Sequence, residues 1–275
     1  MKAAAVVAIA MTWPLAMSAS DAFATCFQPL TDINSKNAAD WQDLRSHVPS
    51  VMGAGVRRFL TIDDAAGGRI NRDYYELRFS NPKNTSLKEL FRRLRRNFDH
   101  YARGQNNAYR FSSYSSAARV LWLSDNPTGA VMTFTVAEHQ PALLLRAHAA
   151  AGIRFVFENA DVQVTCASET DFIFSTVYTE HNTEHPVSGH RGFGIKSNQD
   201  GTVSFYSKGI DRETKGATGL PYIGNLLARF SGKDVFELGH EFWLFFYQNM
   251  GDDLSSVDMP PVSPLHVNSD RYPFP

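Results

Sequence analysis

The chain has 275 residues, of which 27 are Lys or Arg and 28 are Asp or Glu, giving a formal net charge of −1 at pH 7. This balance argues against a nucleic-acid partner, because a dedicated nucleic-acid-binding protein usually carries a clear basic excess. With 43% hydrophobic and 20% charged residues the chain is too apolar for intrinsic disorder, and it is long enough to bury a sizeable core.

The first 24 residues have the layout of a secretory signal peptide. Lys2 supplies the positive start, residues 3–11 form an apolar run, and residues 22–24 (AFA) form a small-x-small cleavage site. A membrane anchor is the alternative, but the run is too short to cross a bilayer and Pro14 interrupts it. We therefore expect cleavage after Ala24 and a periplasmic or secreted protein.

Two cysteines, Cys26 and Cys166, would remain after cleavage. In an oxidising compartment an even pair most simply forms one disulfide, which here would join the N-terminal segment to the body of the protein. Two unrelated thiols are the alternative. No feature of the sequence marks either cysteine as a catalytic thiol.

The segment after the signal peptide, residues 25–55, reads as an N-terminal extension with a short helix over residues 35–47. Strands are predicted over residues 56–62 and 74–79. A longer helix follows, starting at a capping box formed by Ser86 and Glu89 and ending near Gly104.

The face of that helix opposite its apolar residues is basic. It could touch an anionic membrane surface, since clustered cations favour such surfaces, or it could be an ordinary solvated face. The side chains that define the membrane reading are Arg92, Arg93, Arg95 and Arg96.

Residues 109–208 are rich in β-forming residues separated by turn sequences. The segment 141–151 (PALLLRAHAAA) is ambiguous between helix and strand. Strands are predicted over residues 119–123, 129–138, 153–158, 161–166, 172–179, 192–197 and 203–208.

The last third returns to helix, over residues 221–230 and then over residues 233–250, where the stretch 242–247 (FWLFFY) is apolar almost all round. Residues 252–275 hold five prolines, without periodicity, and are expected to be extended and partly ordered. We place a single α+β domain over residues 56–251. Its element order predicts a curved antiparallel sheet gripping a long C-terminal helix, which is a helix-grip arrangement.

Two short segments carry a family resemblance: residues 185–194 (HPVSGHRGFG) and residues 200–205 (DGTVSF). Together with the element order they resemble the START-like superfamily of polyketide cyclases and lipid-transfer proteins. The likeness is to an uncharacterised bacterial branch in which a His-Pro pair and a glycine precede a strand ending in Phe. The resemblance implies a hydrophobic cavity between sheet and helix that holds a lipid or another apolar ligand. It carries over no catalytic residue.

Motif chemistry gives little support for an enzyme. His181 to His185 match the H-x-x-E-H pattern of inverted zinc peptidases, which requires a helix, but the preceding strand pattern and Pro186 disfavour one. A looser zinc or copper site could use His181, His185 and His190 with a neighbouring glutamate, or these histidines could be ordinary loop residues. No phosphate-binding glycine loop is present and no cofactor is predicted.

The predicted ligand site combines charged loop residues with the aromatic helix. Arg191, Asp211 and Arg212 could frame a pocket mouth that holds a polar head group, or the Asp–Arg pair could simply fix a loop. Inward aromatics could line a cavity or fill a dry core. The residues predicted to bind ligand are His185, His190, Arg191, Asp211, Arg212, Phe242, Phe245 and Phe246.

These observations favour an exported soluble protein that binds a hydrophobic small molecule or lipid between the sheet and the C-terminal helix. One alternative is a secreted effector or hydrolase with a polar histidine site around residues 180–191. Another is an envelope interaction protein without a pocket, docking through the proline-rich tail.

Overall fold

The computed structural model describes residues 25–65, 68–103, 109–136, 158–181, 185–214 and 235–274. These ranges form an α+β fold in which nine antiparallel strands build one curved sheet. The strands are β1 (Val56–Phe59), β2 (Arg69–Phe79), β3 (Tyr109–Ser113), β4 (Val131–Val136), β5 (Glu158–Ala167), β6 (Asp171–Thr179), β7 (Val187–Ser197), β8 (Val203–Glu213) and β9 (His266–Pro273).

The strand order is β3-β4-β5-β6-β7-β8-β2-β9, and β1 pairs with the end of β6. A 3-10 turn over Ala38–Trp41 precedes the helices, which are α1 (Gln42–Arg45), α2 (Leu87–Arg96), α3 (Phe98–Tyr101), α4 (Ser116–Leu123) and α5 (Val235–Ser255). The predicted fold class, a curved antiparallel sheet with a long helix near the C-terminus, is confirmed.

Alternate residues of each strand point to opposite sides of the sheet. Other parts of the chain cover both of these sides. We call the side that carries Tyr75, Phe193 and Phe205 the helix side, since α2, α3 and α5 pack against it. The opposite, outer side carries Tyr74 and Ile210 and is covered by the N-terminal segment.

Much of the helix side is filled by aromatic rings. Phe98 of α3 lies at the centre, with ring centroids 4.6 Å from Phe246, 4.7 Å from Phe111 and 5.2 Å from Phe193. Rings at these separations and angles attract one another beyond the area that they bury. In this region the aromatic excess of the sequence forms a packed core.

The C-terminal elements differ from the prediction. Helix α5 continues past Gly251 to Ser255, whereas the prediction ended it at residue 250. Gly251 packs closely on the following chain, where a Cβ would lie 3.3 Å from Pro261. The predicted tail then forms β9, whose residues 266–273 pair with β2 at the edge of the sheet. The proline content of the tail argued against a strand in the sequence. These prolines lie at or beyond the ends of β9, where a missing N–H does not interrupt the pairing with β2.

Other predictions can be compared directly. The capping box is confirmed, since the Ser86 side chain accepts a hydrogen bond from the Glu89 amide at the start of α2. The strand predicted over residues 119–123 is wrong: these residues lie in α4, where Ser115 caps the amide of Ala118. Residues 1–24, the segments 141–151 and 221–230, and all but the end of the strand predicted over 153–158 lie outside the described residues.

Cys26 and Cys166 form a disulfide with a Cα–Cα distance of 5.8 Å, as the sequence predicted. It holds the start of the N-terminal segment on β5, next to an apolar cluster on the outer side. From that segment Phe27, Leu30, Trp41 and Leu44 are buried in this cluster. The segment therefore supplies a second core rather than a loose extension.

Replacing both cysteines with serine (Cys26→Ser together with Cys166→Ser) should lower the free energy of unfolding by roughly 3–5 kcal/mol, because the bond closes a long loop in the unfolded chain. Urea denaturation of the oxidised protein and the double variant measures the difference. As a control, reductant should lower the stability of the wild type alone. Equal stability of the two oxidised proteins would contradict the prediction.

Candidate functional site

Strand alternation divides the predicted ligand-binding residues between the two sides of the sheet. His190 and Arg191 are neighbours on β7, and Asp211 and Arg212 are neighbours on β8. Arg191 and Asp211 face the helix side, whereas His190 and Arg212 face the outer side. The structure therefore brings only part of the predicted set together.

On the helix side, Arg191 forms an ion pair across a neighbouring strand. Its Nη2 lies 2.6 Å from Asp73 Oδ1 on β2 and 3.8 Å from Asp211 Oδ2 on β8. Gly209 of β8 pairs with both Asp73 and Arg191, and so lies between them. A Cβ at Gly209 would be 2.3 Å from Arg191 Nη2 and 2.6 Å from Asp73 Oδ1. The absent side chain makes room for the pair. We call Asp73, Arg191 and Asp211 the polar cluster.

Burial and mutual repulsion set the protonation of the polar cluster. Burial, followed by the charge of Asp73, raises the pKa of Asp211 to about 7. Burial alone would lower the pKa of Arg191, but Asp73 and Asp211 raise it above its ordinary value. Among the described residues, three buried polar atoms of the cluster have no hydrogen-bond partner: Asp73 Oδ1, Arg191 Nη1 and Asp211 Oδ1. Asp73 Oδ1 still lies in the ion pair, 2.6 Å from Arg191 Nη2. A hydrogen bond from Asn71 lowers the pKa of Asp211, against the effect of burial.

Helix α5 covers the polar cluster with aromatic and imidazole groups. The Trp243 ring centroid lies 4.4 Å from the guanidinium carbon of Arg191, which is cation–π distance. Next to it, the Tyr75 hydroxyl on β2 is 2.7 Å from His240 Nδ1. Burial raises the pKa of Tyr75 far above its ordinary value, so the hydroxyl stays protonated.

The N-terminal part of α5, which lies over the polar cluster, is less buried than its C-terminal part. The buried residues of the helix all lie at or after Phe242, and none of residues 235–241 is buried. Of the predicted aromatic ligand residues, Phe242 and Phe246 belong to the packed core, whereas Phe245 is half-buried and outside it. Among the described residues, the polar cluster thus lies beneath the less buried half of α5.

The histidines on the outer side are structural in their contacts. His190 Nδ1 is 2.8 Å from the Ser175 hydroxyl, and its ring lies edge-on to His47 at 5.2 Å. Burial, with a smaller contribution from His47, lowers the pKa of His190 to about 3. Burial also lowers the pKa of His185, in the loop before β7, to about 4. Both rings are therefore neutral at physiological pH.

Arg212 contacts the loop after β1 and the C-terminal segment on the outer side. Its Nη1 donates to the Ile62 carbonyl at 3.1 Å, and its guanidinium carbon lies 3.6 Å from the ring centroid of Phe274. It therefore joins the loop after β1 to the C-terminal segment and is not part of the polar cluster.

The histidine-rich loop is only partly described, since residues 182–184 lie outside the described ranges. His181 stacks on Tyr114 with ring centroids 5.3 Å apart. Across the described ranges no group of three or more His, Cys, Asp or Glu side chains is placed to hold a metal ion.

The basic face of α2 is engaged within the protein. Arg95 is buried and donates to the carbonyls of Trp122 and Ser124 at the end of α4. The other three arginines have partners as well, which are Glu89 and Asp125 for Arg92, Asp253 for Arg93 and the Leu123 carbonyl for Arg96. A membrane surface would have to compete with these contacts, and membrane binding stays a prediction. No described helix is long and apolar enough to span a bilayer.

Sequence reasoning missed Asp73, Gly209 and Trp243 as parts of one site. The predicted strand starts only at Tyr74, whereas β2 begins at Arg69. The usable signal was the alternation of Asn71, Asp73 and Tyr75, which places three polar groups on one side of a strand.

Comparisons with known proteins add little to this geometry. No family model matches the chain, and no curated protein does. Among solved structures the chain is similar to the crystal structure of Ara h 8.0201, with 14% identity and a TM-score of 0.31, over 66% of this chain and 98% of that one. At this level the likeness carries no functional argument, and the helix-grip arrangement rests on the strand order and helix described above.

Gly209→Ala should break the Asp73–Arg191 pair, because the new Cβ would occupy the space of the guanidinium. Disrupting one side of a buried pair leaves charges uncompensated, so we expect a loss of roughly 3 kcal/mol in the free energy of unfolding. Gly239→Ala in α5 is the matched control, since a Cβ there meets nothing within 4 Å. It should be neutral or slightly stabilising. Equal effects in urea denaturation would refute the assigned role of Gly209.

His190→Gln should weaken the acid sensitivity of folding. The folded pKa of His190 lies below that of the unfolded chain, so the unfolded state binds more protons and stability falls as pH drops below about 6.5. Between about pH 7.5 and about pH 5.5 the wild type should lose about 1 kcal/mol more than the variant. Asp211, with its raised pKa, acts in the opposite direction in both proteins and cancels. His100→Gln, at an exposed position, should keep the wild-type slope.

Proposed function

We propose that this protein is an exported, soluble binding protein for a hydrophobic small molecule or lipid, held between the sheet and α5. One observation carries the proposal: a largely buried charged cluster, with polar atoms that have no partner among the described residues, lies beneath the half of α5 that contributes no buried residue before Phe242, beside an aromatic core. An apolar pocket with a few convergent polar groups is the usual form of a small-molecule site.

The polar cluster is costly as a purely structural feature. A buried polar atom without a partner costs about 1–3 kcal/mol, and a buried ion pair is often no better than apolar packing. A ligand that contacts Arg191 Nη1 and Asp211 Oδ1 would remove that cost. The half-buried apolar residues of α5, among them Trp243, Leu244 and Phe245, would contact its hydrophobic part.

Export is proposed on two grounds. Residues 1–24 have the pattern of a signal peptide. The disulfide between Cys26 and Cys166 is of the kind that persists in oxidising compartments. Membership in an uncharacterised bacterial branch of the START-like superfamily is a further proposal, based on the two sequence segments and the helix-grip element order.

A titration with the uncharged apolar dye Nile red tests the proposed function. The purified wild-type protein should bind the dye saturably, with enhanced emission, and native mass spectra should show a small-molecule adduct that is lost on denaturation. Trp243→Ala should weaken dye binding about tenfold, because burial of an aromatic ring contributes about 1.5–3 kcal/mol.

Val120→Ala, an exposed apolar position on α4, is the control and should bind like the wild type. Circular dichroism of both variants verifies that they are folded. Absence of saturable dye binding by the wild type would overturn the proposal, as would equal binding by the two variants.

A further inference from the structure

We propose that the polar end of the bound ligand is a neutral group that both donates and accepts a hydrogen bond, such as a primary carboxamide or an alcohol, held between Arg191 and Asp211. This inference rests on the proposed function and specifies the class of ligand.

The polar cluster presents one donor and one acceptor on two side chains whose other terminal atoms lie 3.8 Å apart. Arg191 Nη1 can only donate and ionised Asp211 Oδ1 can only accept, and neither atom has a hydrogen-bond partner among the described residues. Asn71, opposite Asp211 in the strand register, hydrogen-bonds to the same carboxylate and leaves Oδ1 open. The other terminal nitrogen of Arg191 is fixed by Asp73 at 2.6 Å, and it lies 3.8 Å from the second oxygen of Asp211. Because Asp73 anchors the guanidinium, the remaining N–H groups keep a defined direction. A carboxamide or hydroxyl can satisfy both free atoms at once.

The charges around the two atoms balance. Above pH 7, where Asp211 is ionised, the cluster itself has two carboxylates and one guanidinium, and Arg271 of β9 adds a second positive charge, which acts on Asp211. A carboxylate head group would meet the charge of Asp211, and an ammonium group would meet that of Arg191. In a buried site an uncompensated charge costs several kcal/mol, whereas a neutral polar group costs far less once it is hydrogen-bonded.

The surroundings of the cluster sharpen this selection. The Trp243 ring lies over the guanidinium, and Tyr75 is committed to His240. Water has little access to screen a mismatched charge, because Arg191 and Asp211 expose only 12% and 14% of their side-chain surface. Electrostatic differences between head groups are therefore larger here than at a surface.

Displacement of Nile red by four ligands with the same ten-carbon chain tests the inference: decanamide, 1-decanol, decanoate and decylammonium, each below its critical micelle concentration and at mildly alkaline pH. Decanamide and decanol should displace the dye from the wild type at concentrations about tenfold lower than either charged ligand, as expected for hydrogen bonds to charged groups against an unpaired buried charge.

Asp211→Asn removes the carboxylate charge and keeps an acceptor oxygen. Decanoate should therefore bind this variant more tightly than it binds the wild type. The concentration of decanoate that displaces Nile red should then exceed that of decanamide by about twofold or less. Asp200→Asn is the matched control: Asp200 is exposed in the turn before β8, where it pairs with Arg78, and the wild-type ratio should persist.

The outcomes separate the two proposals. If Nile red binds but decanoate or decylammonium displaces it as well as decanamide does, the head-group inference is wrong and the proposed function stands. If Nile red does not bind at all, the proposed function fails first. The wild-type comparison decides the inference even if Asp211→Asn does not fold.

Discussion

The burial of the sheet on both sides constrains everything else in this fold. Because neighbouring residues of a strand enter different cores, each strand must satisfy two environments at once. Strand β2 shows the result most fully, since all but two of its eleven residues are buried, charged side chains included. Every buried charge on such a strand must find its partners inside the protein, so the sheet is crossed by short polar networks rather than by apolar packing alone.

The networks on the two sides of the sheet differ in which groups they leave open. On the outer side, Lys208 donates to Asp43 at 2.7 Å and to the Gln28 carbonyl at 3.1 Å. Glu76 accepts from Tyr74, Lys196 and Ser204. These groups are matched and hold the N-terminal segment and the edge of the sheet. On the helix side, one nitrogen of Arg191 and one oxygen of Asp211 have no partner among the described residues. The outer side also leaves two such atoms, Trp41 Nε1 and Arg72 Nε. The polar cluster differs in that its open atoms belong to the charged ends of neighbouring side chains.

Sequence patterns predicted the elements whose signals are local. The capping box at Ser86, the apolar helix after residue 233 and the Cys26–Cys166 pairing all appear in the structure. The patterns failed where tertiary pairing overrides local composition, as in β9, where proline-rich sequence is recruited by the exposed edge of β2. They also failed for the site, because Asp73 and Arg191 lie 118 residues apart and meet only across Gly209. Only the paired register of three strands could bring them together.

The outer side also determines how the proposed site can open. Strands β2 and β8, which carry Asp73 and Asp211, are held from that side by Arg72, Lys208 and Arg212. Their partners are Asp270 of β9, Asp43 of α1 and the Ile62 carbonyl after β1. These contacts fix the positions of the strands, and with them the spacing within the polar cluster, whether or not a ligand is present. Movement that admits a ligand must then come from the helix side. There the first turns of α5 have no buried residue before Phe242, while its second half is locked into the aromatic core. The polar cluster is therefore pre-organised on the sheet, beneath the less buried half of α5. In the proposed site, specificity would come from the sheet and access from the helix.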